Sequence, residues 1–229
     1  MKILPLCLTT LLWLNTFSLA HAADSSLISR IQKIESSLVY IKTVYRRSLR
    51  THNGRSGIVS YERNGTGIIM DPSGIIVTNT HIVINAPKIL VGLSDGKVYE
   101  ATVLYASEAD FSFLKIDTSY PLQAIPWADS SQAQLGQKII ALGNSDNNHQ
   151  SILGGQITSL IESMSTNNIE LLELDINLYQ GDSGGPILDE DGRLLGLIMA
   201  KRKTEERKSY AIASNKIRQE YLKLKQNMP

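Results

Sequence analysis

From Tyr61 onward the chain is cut into short apolar runs separated by turn-forming residues, and this restricts the fold more than any other feature. Residues 67–70 are followed by the turn Asp71, Pro72, Ser73, Gly74, and then by a second run at 75–78. Further runs lie at 89–93, 98–105, 111–116, 138–142, 156–161, 171–176, 187–188, 194–200 and 209–213. They are too short for helices, and no helical pattern alternates with them as a parallel sheet would require. The pattern predicts an all-β chain of barrels or sandwiches, closed by a helix over 215–225 with Ile217, Tyr221, Leu222 and Leu224 as its apolar positions.

Upstream, Leu27, Ile28, Ile31 and Ile34 fall on one face of a short helix capped by Ser25 or Ser26. Residues 38–45 are rich in β-branched and aromatic side chains and read as a strand. Residues 46–60 carry Arg46, Arg47, Arg50 and Arg55 with little apolar content and read as a long exposed loop. No aromatic platform accompanies these arginines, so nucleic-acid binding is not expected.

The first residues form an export signal. Met1 and Lys2 precede an apolar stretch at 3–19, and Ala20, His21, Ala22 matches the small-x-small pattern cut by signal peptidase. The stretch is short for a membrane span and no second one follows, which predicts release without a stable membrane anchor, into a periplasm or the medium. Cys7 lies in the removed segment, so the mature chain has no cysteine for disulfides, thiolate metal sites or nucleophilic catalysis. Lys2 is the only charge removed, leaving 22 basic residues of the original 23 against 22 acidic ones. Net charge therefore gives no steering toward nucleic acid or an anionic membrane.

Within this frame, residues 181–186 read Gly-Asp-Ser-Gly-Gly-Pro. A serine hydroxyl becomes a nucleophile when a base takes its proton and N–H donors hold the charge that develops on the attacked carbonyl. Gly181 permits the sharp turn that aims its own N–H and that of Ser183 at one point, which makes 181–183, with Asp182 between the donors, the candidate oxyanion loop. Gly184 and Gly185 remove side chains where a substrate backbone comes close.

A histidine suits the base because its ordinary pKa is near neutral. Of His52, His81 and His149, His81 directly follows an apolar strand and is the candidate. Asp110, a charge standing immediately before the apolar run 111–116, is the candidate carboxylate to orient it. Asp95 in an Asp-Gly turn and Asp117 at a strand end have local explanations.

His81, Asp110 and Ser183 follow the chain order of trypsin-like serine proteases, and the surrounding residues resemble the HtrA (Deg) branch of that family. Gly65, Thr66, Gly67, then Val77, Thr78, Asn79, His81, Ile82, Val83, then Asp95, Gly96, Gly143, Asn144 and the YAIASN run at 210–215 carry the resemblance. It implies two six-stranded antiparallel β-barrels, over about 37–122 and 123–215, with the cleft between them. It also implies that His81 relays the Ser183 proton through an acyl-enzyme, that Asp110 orients His81, and that no metal or organic cofactor is needed. The implied partner is a protein or peptide substrate, and the resemblance leaves room for a homo-oligomer.

The chain departs from the branch in having Asp182 where Asn is usual, in the run 143–148, and in residues 178–180 before the glycine. Only residues 216–229 follow Asn215, too few for the peptide-binding PDZ domains usual in the branch. In such enzymes the residue six before the nucleophile lies at the base of the primary pocket, which places Asn177 there, with Leu197, Ile198 and Met199 as the wall. No negative charge is available for Arg or Lys, so a small or medium aliphatic side chain is expected before the cut. A non-catalytic scaffold of the same fold, binding a peptide in its cleft, is the competing expectation.

Overall fold

The structure, a computed structural model, describes residues 34–50, 56–145, 149–163, 168–199 and 208–228. The export signal and the capped helix fall outside the described residues, apart from Ile34 and Glu35 at the helix end. The first half contains β1 (Leu38–Arg50), β2 (Ser56–Ile69), β3 (Ile75–Thr78), α1 (Thr80–Val83), β4 (Ile89–Gly92), β5 (Val98–Glu100), β6 (Thr102–Ala106) and β7 (Ser112–Lys115). The second half contains β8 (Lys138–Ser145), β9 (His149–Glu162), β10 (Ile169–Leu174), β11 (Pro186–Leu188), β12 (Leu194–Ile198), β13 (Ser209–Ala213) and the terminal helix α2 (Ser214–Asn227).

The second half is a closed six-stranded barrel in the order β10-β13-β12-β11-β8-β9. The first half is a seven-stranded antiparallel sheet in the order β5-β4-β1-β2-β3-β7-β6. Its two outer strands, β5 and β6, are separated in sequence by Ala101 alone, whose N–H donates to the Ile89 carbonyl at 3.0 Å. They are one bent strand, and through it the sheet curls back on itself into the second barrel-like body. The all-β, two-barrel architecture that the resemblance implies is the one observed, with β5 and β6 counted as one bent strand.

Three buried clusters follow from how the strands share their faces. On β7 and its flanks, Phe111 and Phe113 point one way while Leu114 and Ile116 point the other; on β3, Ile75 and Val77 oppose Ile76. Successive strand residues face opposite sides, and here both sides are buried, which is why these runs are continuously apolar instead of alternating. One face joins Val39, Ile41, Ile69 and Val91 inside the first barrel. The other joins Leu142, Leu188, Leu197 and Ile212 in a cluster that welds the barrels together. The interior of the second barrel holds Ile139, Ile157, Leu172, Leu174, Ile187 and Leu195.

α2 closes the inter-barrel cluster with Ile217 and Tyr221. The Tyr221 ring meets Phe113 at 5.9 Å and Trp127 at 6.1 Å, and its hydroxyl donates to Asp71 Oδ2 at 2.8 Å. Lys225 Nζ donates to the same oxygen at 3.0 Å. Burial, the largest single influence on Asp71, raises its pKa, but donation from Ser73, Tyr221 and Lys225 together outweighs it and holds the carboxyl at about 2. Burial and the neighbouring Asp71 carboxylate push the Tyr221 phenol upward.

A depressed carboxylate stabilises the fold above its unfolded pKa and loses that contribution as pH falls through the folded one. Asp71→Asn is therefore expected to be less stable than the parent at neutral pH. The gap should narrow between roughly pH 4 and 2, as urea denaturation across that range would read. An unchanged gap at pH 2 would contradict the clamp.

Two elements differ from the sequence reading. The arginine-bearing stretch is a hairpin rather than a loop: β1 runs to Arg50 and β2 resumes at Ser56, paired residue for residue from Leu38↔Ile68 to Arg50↔Ser56. β4 pairs with β1 only from Tyr40 to Thr43 and β3 with β2 only at Ile68 and Ile69, so among the described residues the outer part of the hairpin has no third strand beside it. A two-stranded ribbon has no core to face, and its sequence carries no apolar alternation. Likewise β9 begins at His149, well before the apolar run at 156–161 that predicts a strand there. Among the described residues, no helix is long and apolar enough to cross a membrane.

Candidate active site

His81 sits in α1, a single helical turn entered directly from β3, so its backbone leaves a strand whose four residues are all buried. The corner is tied to the loop before β7. Asn79 Nδ2 donates to the Asp110 carbonyl at 2.9 Å and the Thr80 N–H to the same oxygen at 3.3 Å. Asp110 itself has φ +63°, a left-handed conformation that Asp tolerates better than most residues. That turn brings its carboxylate back over His81.

Asp110 grips the histidine at two places. Its Oδ2 lies 2.9 Å from His81 Nδ1, and its Oδ1 accepts the His81 backbone N–H at 3.0 Å while lying 3.1 Å from Nδ1. A carboxylate at Nδ1 places the proton there and leaves Nε2 as the free base. The imidazole is 41% exposed and the Asp110 side chain 26%, so the pair stands at the rim of the cleft and not in the core.

Ser183 is presented by a loop that glycines alone can form. Gly181 has φ +102° and Gly184 φ +83°. A Cβ on Gly184 would lie 2.1 Å from the Thr66 carbonyl oxygen. The loop is anchored on the first barrel by Thr66 of β2. The Thr66 N–H donates to the Ser183 carbonyl at 2.9 Å, and Thr66 Oγ1 donates to the Gly181 carbonyl at 2.9 Å. Thr78 Oγ1 and the Asn144 N–H fix Thr66 in turn, at 2.7 and 2.9 Å.

Asp182 is fully buried and turned away from the cleft. Its carboxylate accepts the Tyr179 N–H at 2.8 Å and the Ser151 hydroxyl at 2.5 Å, and its own N–H is committed to the Tyr179 carbonyl at 3.2 Å. It therefore shapes the oxyanion loop and is not one of its donors, a refinement of the sequence reading. The N–H groups of Gly184 and Gly185 are likewise taken, by the carbonyls of Ile198 and Asp182. Among the described residues, those of Gly181 and Ser183 donate to nothing in the protein.

His81 and Ser183 line one cleft of about 310 Å³ together with Arg63, Leu178, Tyr179, Gly181 and Met199. No hydrogen bond joins His81 to Ser183 in this structure. A larger hollow of about 410 Å³, bordered by Tyr105, Ser130, Glu170 and Asn215, contains none of the three candidate catalytic residues.

Of the expected pocket residues, Met199 lines the cleft. Leu197 and Ile198 do not: Leu197 is wholly buried between the barrels and Ile198 faces the interior of the second. Their backbones matter instead, since Ile198 exchanges hydrogen bonds with Gly184 and Gly185. Asn177 is exposed and is not among the residues lining the cleft. Leu178, which lies in the irregular stretch after β10, supplies apolar wall beside Met199. His52 lies outside the described residues, and Asp117 is a solvent-facing partner of Lys115. Among the described residues no group of three or more His, Cys, Asp or Glu side chains is placed to hold a metal ion.

Known serine endoproteases resemble this chain in sequence and in fold. The chain is 36% identical over 143 residues to a probable periplasmic serine endoprotease DegP-like protein of Rickettsia prowazekii, covering 58% of this chain and 27% of that one. It is 33% identical over 160 residues to the serine endoprotease DegS of Escherichia coli K12, covering 69% and 44%. Against these and similar curated relatives the chain spans less than half of their length. The crystal structure of a serine endoprotease from Yersinia pestis superposes with a TM-score of 0.69 at 27% identity, over 88% of this chain and 67% of that one. The trypsin-like peptidase domain model matches residues 65–197, a segment that holds His81, Asp110 and Ser183. Since that match takes in more than half of the 229 residues, the chain belongs to the trypsin-like peptidase domain family.

Proposed function

We infer that the protein is an exported serine endopeptidase that hydrolyses peptide bonds of misfolded or specific envelope proteins through an acyl-enzyme. The observation that carries the reading is the Asp110–His81 pair facing the cleft that Ser183 enters on a loop whose two outward N–H groups are uncommitted. His81 Nε2 takes the Ser183 proton as Oγ attacks, and the N–H groups of Gly181 and Ser183 receive the oxyanion. His81⁺, held by Asp110, then returns the proton to the departing amine, and water repeats the cycle on the ester. Periplasmic action is supported by the apolar leader and by the resemblance to the probable periplasmic endoprotease of Rickettsia prowazekii.

Leu178 and Met199 favour an aliphatic side chain before the cut, and a peptide library with a strict requirement for Arg or Lys there would overturn that preference. A peptide-binding scaffold is the second reading, favoured by the absence of a His81–Ser183 hydrogen bond among the described residues. That contact is often long in unliganded enzymes and tightens with substrate.

A fluorophosphonate probe separates the two. The mature protein is expected to be labelled and to degrade an unfolded protein substrate, with both activities lost in Ser183→Ala. A folded protein that takes up no label would favour the scaffold.

A further inference from the structure

The wall of the cleft on the His81 side carries a cation that the catalytic reading does not use. Arg63, near the end of the free part of the β1–β2 hairpin, donates from Nη1 to the His81 carbonyl at 2.6 Å. Its guanidinium carbon lies 4.7 Å from the centre of the Tyr45 ring. That ring is itself fixed, stacked on Tyr61 at 4.9 Å, with its hydroxyl hydrogen-bonded to the carbonyls of Ile82 and Ile84 at 3.2 and 2.8 Å. A guanidinium has five N–H donors in a planar fork, and one carbonyl occupies only part of it.

Nor do the nearby described carboxylates pair with it. Glu62, the neighbouring carboxylate lining the cleft, is paired with Lys42 at 2.8 Å, and Asp110 is taken by His81. Among the described residues Arg63 has no carboxylate partner. The cleft thus presents a pre-oriented cation beside the residue that must protonate the leaving amine, so the segment that departs with that amine passes along this wall.

We propose that Arg63 is a specificity residue that selects a carboxylate on the leaving-group side of the scissile bond. The proposal rests on the peptidase reading of the same cleft and adds the chemistry of the substrate to it. The carboxylate is supplied either by an Asp or Glu side chain within the first residues after the cut or by the free C-terminus of a short peptide. In both cases the planar fork receives it in charge-assisted hydrogen bonds.

The test uses the mature protein and internally quenched peptides that differ only in Glu, Gln or Lys at the first, second or third position after the cut. A further pair ends in a free acid or an amide. At low salt the parent protein is expected to favour Glu over Gln by about tenfold at one of these positions, and Glu over Lys by more. Preference confined to the acid-ended peptide would instead identify the terminal carboxylate.

The Glu to Lys ratio should fall to near one in Arg63→Gln and invert in Arg63→Glu. It should also shrink in the parent as ionic strength rises from about 0.05 to 0.5 M, because the guanidinium is exposed. Ratios are read within each variant, so a general loss of activity does not mimic the effect. The proposal is overturned by a parent protein that labels with fluorophosphonate yet shows no preference for a carboxylate, by a preference indifferent to salt, or by variants that label and keep the parent ratio. Absence of labelling would instead overturn the peptidase reading beneath it.

Discussion

His81→Ala is expected to reduce kcat on any cleaved peptide by about a million-fold while leaving the thermal transition near that of the parent, since subtilisin loses that much with its histidine. The side chain stands at the rim of the cleft, so its removal opens no core cavity. Asp110→Asn should cost less, about ten-thousand-fold by analogy with the trypsin triad. In the parent, both the ring Nδ1 and the backbone N–H of His81 face acceptor oxygens of one carboxylate. An asparagine has one acceptor and one donor group. Keeping its oxygen on the backbone turns its NH₂ toward Nδ1 and drives the proton to Nε2, where the imidazole can no longer act as base. Asp110→Asn should therefore regain activity as pH rises and hydroxide substitutes for the base, a profile that simple misfolding would not give. A loss of less than about tenfold in both variants would remove the triad from the mechanism.

Gly184→Ala is the second large effect, and it works through shape. The residue has φ +83°, which an L side chain occupies at a cost of about 1–2 kcal/mol. Its Cβ would also stand 2.1 Å from the Thr66 carbonyl oxygen and 2.6 Å from Thr78 Oγ1, neither of which can retreat without releasing the other. The loop between Gly181 and Pro186 must shift, and with it the two N–H groups meant for the oxyanion. Displacing such donors by about an ångström costs on the order of a hundred-fold or more in rate. Fluorophosphonate labelling should slow by at least that factor, with a lower melting temperature. Gly57→Ala is the matched control, because a Cβ there meets nothing within 4 Å. Equal behaviour of the two variants would show that the tight loop packing does not set reactivity.

The parts of the site legible in the sequence are those encoded by neighbours along the chain. Ser183 announces itself through the glycines around it, His81 through the strand it follows, and Asp110 through a charge set against an apolar run. The parts that were not legible depend on which face a residue turns, or on partners far along the chain. Leu197 and Ile198 lie on a strand buried on both sides, where periodicity cannot tell cleft from core. The arginine-bearing hairpin lacks apolar alternation because, among the described residues, its outer part has no third strand beside it. Thr66 was visible only as part of a glycine-flanked motif; its bonds to Gly181 and Ser183 span more than a hundred residues. Asp182 was legible only as the residue between the two oxyanion donors, since nothing local reveals that its carboxylate turns inward to Ser151 and Tyr179.

The bridge from Thr66 to the nucleophile loop has a consequence for the life history of the molecule. Since the Gly181 and Ser183 carbonyls are held by a residue of the other barrel, the bonds that the serine half makes within itself, through Asp182, Gly184 and Gly185, fix only part of the loop. A chain whose first barrel has not yet folded, or a molecule whose halves have come apart under stress, carries Ser183 on a loop without its Thr66 anchor. On the proposed function, Ser183 reacts only when the two bodies have met, and the chemistry is withheld until assembly is complete.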